Sequence, residues 1–358
     1  MFESAAISIE REFAERQRTD GKSMRFGVEF LDDATRGIFP DDLILLGAPS
    51  GIGKTQLCCN IALANVKDGS RVHYIALEAS RYEIERRLKY PIVTDLYFKD
   101  PNRPRLERNI NYPDWLLGRF TKDLSAYEYE AEKIFKRDYV NLHLHYKGDR
   151  FGVAEMIIAV TGSAQQSDLI IIDHLHYFDF EDENENRAIK QIAKAVRDLA
   201  IEEQKPIVLV AHLRKRDRQN EDLVSDLDEF HGSSDLSKIA TKVITFAPGR
   251  PAKDGTFETF FRIPKSRIDG SVTRYIGREF FSPKEGGYVQ GKYEIGWSNQ
   301  KRGREFEVID PKIYPDWART PTNASRDPSA NFPKQSAPAS EQRRPKPFTR
   351  YIHSSERD

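Results

Sequence analysis

The chain has 358 residues with Lys+Arg and Asp+Glu both at 56, so its formal net charge is zero and any contact with a polyanion must come from a local cluster. That length buries one large core or two modest ones. Cys58 and Cys59 are adjacent and cannot staple a fold, the N-terminus carries both charge signs without the apolar centre of a signal peptide, and no apolar run approaches the ~20 residues that span a bilayer, which together predict a cytoplasmic protein with no membrane partner.

Residues 1–23 predict a short helix and linker, with Ala5, Ile9 and Phe13 at i, i+4 and i+8. Such a stripe docks on its own domain or on a neighbouring subunit. From Phe26 to about residue 293 apolar strands alternate with helices, the pattern of an α/β core whose mainly parallel sheet is covered by helices on both faces. Strands are predicted at 43–46, 72–77, 140–146, 169–172, 207–211, 243–246 and 257–263, and a helix at 186–203 with Ile189, Ile192, Ala193, Val196, Leu199 and Ala200 on one face. Residues 24–300 read as one domain and 301–318 as an extension of it. Residues 319–358, rich in Pro, Ser, Asn, Lys and Arg, predict a disordered tail whose Arg343, Arg344, Lys346 and Arg350 could tether DNA or a protein partner.

The first strand runs into Gly47-Ala48-Pro49-Ser50-Gly51-Ile52-Gly53-Lys54-Thr55, and a helix carrying Leu57, Ile61, Ala62 and Val66 follows. Strand, glycine loop, Lys-Thr and helix in this register form a phosphate-binding loop: backbone N–H groups and the helix N-terminus cradle phosphate, Lys54 reaches the β and γ oxygens, and Thr55 ligates Mg²⁺. Ala48 stands where the first glycine of the pattern is usual. Two further strands end in acids. In an open parallel sheet the ligand lies beyond the carboxyl ends of the strands, which predicts that Asp173 holds Mg²⁺ and that Glu78 orients the attacking water. Ser80 and Glu83 have the spacing of a capping box for the next helix, which leaves Glu78 free for chemistry.

Two histidine pairs stand out, His143/His145 and His174/His176, but no cysteine cluster or flanking acid completes a metal-ligand set around either. The first pair reads as the solvated face of an alternating strand. The second sits beside the expected Mg²⁺ position. Arg214, Lys215 and Arg216 form the one dense basic cluster next to a core strand end, ahead of a long polar segment; by itself this is either a nucleic-acid contact or solvated surface. The acidic run Glu181, Asp182, Glu183 and Glu185 in another candidate loop argues against such a contact.

In this order several segments resemble the DnaB-type replicative helicases, whose motor is a RecA-like P-loop NTPase core. The stretch FGVEFLD at residues 26–32 is similar to the family's opening, APSGIGKT at 48–55 to its phosphate loop including the alanine, and ALEASRYEIERRL at 76–88 to the segment bearing its catalytic glutamate. LIIIDHLHYF at 169–178 resembles its Walker B strand. IVLVAHLRKR at 207–216 resembles the strand carrying a γ-phosphate sensor, and HGSSDLSKIATKVITF at 231–246 the Gly-Ser element of a DNA-binding loop and the next core strand. Lys265-Ser266-Arg267, with Gly270 behind, resembles the Lys-x-Arg element inserted into the adjacent subunit's nucleotide site. The resemblance implies ATP and Mg²⁺ as ligands, a homo-oligomer with hexameric ring form, single-stranded or forked DNA as substrate, and ATP-driven unwinding. It implies catalytic roles for Lys54, Glu78, Asp173, His212, Lys265 and Arg267, and DNA contacts at Arg214, Lys215, Arg216, Gly232 and Ser233. The alternatives are a RecA- or RadA-like recombination ATPase and a nucleotide-switched regulatory ATPase indifferent to DNA. Departures are His212 where the family commonly has glutamine, Asp228 and Glu229 where a base is expected, and the expected lack of an N-terminal helical domain and of a primase-like zinc domain, as in a phage- or plasmid-like form.

Overall fold

The computed structural model describes residues 4–18, 23–180, 184–213, 223–227, 230, 234–298 and 305–319. The expected DNA contacts Arg214, Lys215, Arg216, Gly232 and Ser233, the acidic residues 181–183, Asp228, Glu229 and the tail beyond 319 lie outside the described residues.

In chain order the elements are α1 (Ala5–Arg18), α2 (Glu29–Thr35), β1 (Leu43–Ala48), α3 (Lys54–Lys67), β2 (Val72–Ala76), α4 (Arg81–Lys99), α5 (Tyr112–Leu116), α6 (Thr121–Asp138), β3 (Leu142–Tyr146) and α7 (Val153–Ala164). There follow β4 (Leu169–Asp173), α8 (Glu185–Glu202), β5 (Ile207–His212), α9 (Ser234–Ile239), β6 (Lys242–Pro251), β7 (Phe257–Ser266), β8 (Ile276–Ser282), β9 (Gly287–Ser298) and β10 (Phe306–Val308). All strands join one sheet in the order β10-β9-β8-β7-β6-β1-β5-β4-β2-β3. The six from β6 to β3 run parallel, and β7 to β10 extend the sheet antiparallel.

Consecutive apolar residues suit strands buried on both faces, because alternate side chains point to opposite sides. Ile44, Leu46 and Ala48 of β1 enter one core with Leu57, Ile61 and Ala62 of α3, while Leu43 and Leu45 enter the other with Ile189, Ile192 and Val196 of α8. The same division repeats in β4, with Leu169 and Ile171 on the α3 side and Ile170 and Ile172 on the α8 side. Residues 81–139 add a third cluster of aromatics, in which Tyr90 packs edge-on to Tyr112 at 5.3 Å between ring centroids. On α1, Ile9 and Phe13 are exposed. No helix among the described residues is long and apolar enough to cross a membrane.

The FGVEFLD stretch builds the entry to the core. The Asp32 carboxylate accepts hydrogen bonds from the backbone N–H of Phe26 at 2.6 Å and of Gly27 at 3.1 Å. Phe30 is buried edge-on against Trp317, and Gly277 of β8 lies so close that a Cβ there would meet the Phe30 ring at 2.1 Å. Glu279 of β8 is also fully buried: its Oε1 accepts from Phe30 N at 2.7 Å, while Oε2 has no hydrogen-bond partner. Burial, reinforced by Glu29, Asp32 and Asp33 nearby, pushes this carboxyl well above the usual range.

A carboxyl whose folded-state pKa is raised favours folding fully below its unfolded value of about 4.3, and that contribution is lost as pH rises toward the folded value. Glu279→Gln keeps an acceptor for Phe30 and removes the titration. The Tm difference between variant and wild type is therefore expected to shift in the variant's favour from pH 5 to pH 8. Parallel Tm–pH curves would show that Glu279 carries no such linkage.

Candidate active site

The phosphate loop follows β1 at the carboxyl end of the parallel strands. Gly51 (φ 78°) and Gly53 (φ 96°) take the left-handed conformation that lets the loop turn back on itself, and α3 begins directly at Lys54. Lys54 is buried, and its Nζ donates to the carbonyl oxygens of Ala48 and Pro49, both at 3.0 Å. Burial pushes its pKa down, opposed by the Asp173 and Glu78 carboxylates. Gly47 lies inside β1 rather than in the loop. A Cβ there would meet the Phe230 ring at 2.6 Å and Leu213 at 2.8 Å, so this glycine makes room for the Leu213–Phe230 bridge. The loop pattern carries no sign of that packing.

The sheet register brings the remaining groups together. Ala76, at the end of β2, pairs with Asp173, at the end of β4, and Ala48 pairs with His212, at the end of β5. Asp173 is buried; its Oδ2 accepts from the Tyr74 hydroxyl at 2.7 Å and its Oδ1 has no hydrogen-bond partner. Burial pushes this carboxyl up, offset in part by Tyr74. The sequence motifs assign Tyr74 no role, although an inward phenol on a doubly buried strand requires a polar partner.

Glu78 is exposed just beyond β2. Its Oε1 accepts from the Tyr177 hydroxyl at 3.2 Å, and its Oε2 lies 3.2 Å from His174 Nε2. The expected capping box beside it does not form: Ser80 is the N-cap of α4 without a side-chain cap bond, and Glu83 instead pairs with Arg87, one helical turn on. Arg87, one turn on along the same face, offers Glu83 two guanidinium N–H donors in place of the single backbone N–H of Ser80. His174 is fully buried, against His212 at 4.0 Å between ring centroids. Burial, with His212 and His176 beside it, pushes its pKa down to about 2, so the imidazole is neutral. His145 differs from the solvated face expected of its pair, since its ring packs edge-on to His73 and Phe151.

Lys265 and Arg267 sit elsewhere. Lys265 Nζ donates to the carbonyl oxygens of Ser237 at 2.6 Å and Lys238 at 2.8 Å, at the end of α9. Arg267 is exposed, and its backbone N–H bonds Thr241 O, whose own N–H bonds Leu43 O at the start of β1. Arg267 therefore lies at the amino end of the parallel strands. Five strand residues and two strand spacings separate it from Ala48, about 19 Å at ordinary sheet dimensions.

The AAA domain family matches residues 29–218, more than half of the 358-residue chain. This chain belongs to that family. A "Probable replicative DNA helicase" from Trieres chinensis is 26% identical to this AAA protein over 190 residues, which are 52% of the chain and 38% of that relative. The chain thus aligns with well under half of the relative's length. Among solved structures, the "ATPase Domain of G40P" superposes with a TM-score of 0.59 at 16% identity, covering 87% of this chain and 100% of that one. "The Structure Of A DnaB-Like Replicative Helicase And Its Interactions With Primase" gives 0.57 at 15% identity, covering 87% and 68%. The AAA core here has the RecA-like P-loop fold, and nucleotide binding is a property of that family and fold.

Proposed function

We propose that this chain is an ATP-hydrolysing DNA translocase of the replicative helicase type, with active sites completed between the subunits of a ring. The loop from Ala48 to Thr55 would hold the triphosphate, with Lys54 leaving its two carbonyls for the β and γ oxygens. The residues present fit Mg²⁺: Asp173 offers a buried Oδ1 with no hydrogen-bond partner, and Thr55 places a hydroxyl in the first turn of α3. Bound there, Mg²⁺ would neutralise charge developing between the β and γ phosphoryl groups. Glu78 orients the attacking water, steadied by Tyr177, and His212 contacts the γ-phosphate from the end of β5.

One observation carries the interfacial reading: Arg267 lies at the opposite end of the sheet from its own phosphate loop, farther than an arginine side chain spans. An exposed arginine so placed does not reach the nucleotide of its own subunit, which fits a finger supplied in trans. Lys265, bonded to the α9 carbonyls, positions the segment rather than reaching out. The resemblance and the helicase-named relative support DNA as the track, and Arg214, Lys215 and Arg216 with Gly232 and Ser233 as its contacts. A cytoplasmic setting and a hexameric ring belong to the same reading.

The test is strand displacement on a forked duplex with ATP, alongside hydrolysis with and without single-stranded DNA. ATP-dependent unwinding and DNA-stimulated hydrolysis are expected. Hydrolysis indifferent to DNA, with no unwinding, would leave a regulatory ATPase. Replacing Arg214, Lys215 and Arg216 together with Ala should weaken binding to single-stranded DNA and flatten its salt dependence by roughly 0.7 in log–log slope for each phosphate that is no longer neutralised. An unchanged slope would move the DNA-binding surface to another loop.

A further inference from the structure

We infer that Glu78, His174 and His212 form a binding site for a divalent transition-metal cation of the zinc class, separate from the Mg²⁺ position at Thr55 and Asp173. Local sequence offered no acid to complete a ligand set around the histidines. The sheet supplies one, because β2, β4 and β5 end side by side and bring Glu78 to His174 and His212. One ligand atom from each of the three lies within 4.8 Å of the others, and among the described residues no other trio of His, Cys, Asp or Glu side chains comes as close.

His174 carries the geometry. Its side chain is 1% exposed, its Nδ1 accepts from the His176 N–H at 3.3 Å, and its buried Nε2 lies 3.2 Å from Glu78 Oε2; an ion at Nε2 moves the imidazole proton to Nδ1 at the cost of that long bond. Ligand atoms about 2.0–2.1 Å from a tetrahedral zinc ion stand roughly 3.4 Å apart, so the Glu78–His174 pair already has the spacing of a shared ion, and the trio, now within 4.8 Å, closes on it by movement of the exposed Glu78 and the partly exposed His212. Two imidazoles and one carboxylate form a borderline donor set, which favours zinc, cobalt or nickel over Mg²⁺, whose preference is for oxygen in octahedral array. Three protein ligands leave a fourth position for water or a phosphate oxygen.

An ion held there withdraws Glu78 from water and His212 from nucleotide, so zinc-class ions would arrest hydrolysis while Mg²⁺ sustains it. That consequence rests on the roles proposed above for Glu78 and His212. The binding itself rests on the three side chains alone, and a test on nucleotide-free protein keeps the two apart.

The experiment is titration of the full chain with Co²⁺ in excess Mg²⁺ and without nucleotide, followed by visible absorption. A saturable band, displaced by Zn²⁺, is expected from wild type. Its affinity should fall at least 10–100-fold in His212→Gln and in Glu78→Gln, since loss of a ligand exceeds the cost of losing a ligand's support. His143→Gln, at the exposed position of edge strand β3, should leave the band unchanged. His174→Gln is buried and could unfold, so the partly exposed His212 and exposed Glu78 decide the matter, each variant checked by its melting curve. No saturable band in wild type, an unchanged affinity in folded His212→Gln, or loss of the band in His143→Gln would each overturn the assignment.

Discussion

Glu78→Gln is expected to lower the single-turnover rate of ATP hydrolysis by roughly 10²–10⁴ while leaving nucleotide affinity within a few-fold of wild type. The exposed side chain lies beyond β2, bonded to the Tyr177 hydroxyl and set against His174, and it acts on Lys54 of the phosphate loop through its charge rather than through a hydrogen bond. The amide keeps an acceptor for Tyr177 and removes the charge proposed to orient water, while Lys54 keeps its own charge and its two carbonyl bonds. Lys54→Ala should behave differently, losing hydrolysis and much of the affinity together, because the charge it removes acts on bound phosphate in ground and transition states alike. Titration with a fluorescent nucleotide, paired with single-turnover hydrolysis, separates the two patterns. Hydrolysis by Glu78→Gln at the wild-type rate would place the water-orienting group elsewhere at the strand ends.

The parallel half of the sheet was legible because a strand buried on both faces must be apolar throughout, and LILL, LIII and IVLVA have little alternative. The antiparallel extension β8–β10 was not. GYVQGKYEIGWS mixes charge, aromatics and glycine because β9 is only partly buried, while the mostly buried IGREFFS breaks the apolar pattern with Gly277 and Glu279, whose places are set by contacts with Phe30 that are remote in sequence. The site divides along the same line. Loop and acids were legible because each closes a strand next to its own motif. The Tyr74–Asp173 bond, the packing of Phe230 on Gly47 and the approach of Glu78 to His174 depend on which strands lie side by side, and strand order is not written locally. The failed capping box is the converse case: Ser80 and Glu83 had the right spacing, but Arg87 one turn further on offered Glu83 a charged partner.

Arg267→Ala should leave nucleotide binding by each subunit near normal and lower hydrolysis by roughly 10³–10⁵, as expected on removing a finger supplied in trans. The register of β1, β6 and β7 already separates Arg267 from its own loop by most of the height of the sheet. A structural role would also lower activity, so the loss alone does not decide the matter. The deciding measurement is ATPase activity of rings assembled from equal amounts of Arg267→Ala and Lys54→Ala subunits, with mixing verified by mass. In a head-to-tail ring about a quarter of the interfaces then join an intact loop from one variant to an intact arginine from the other. Recovery of hydrolysis well above that of either variant alone is the predicted result; verified mixed rings as inactive as their parents would contradict an active site shared between subunits.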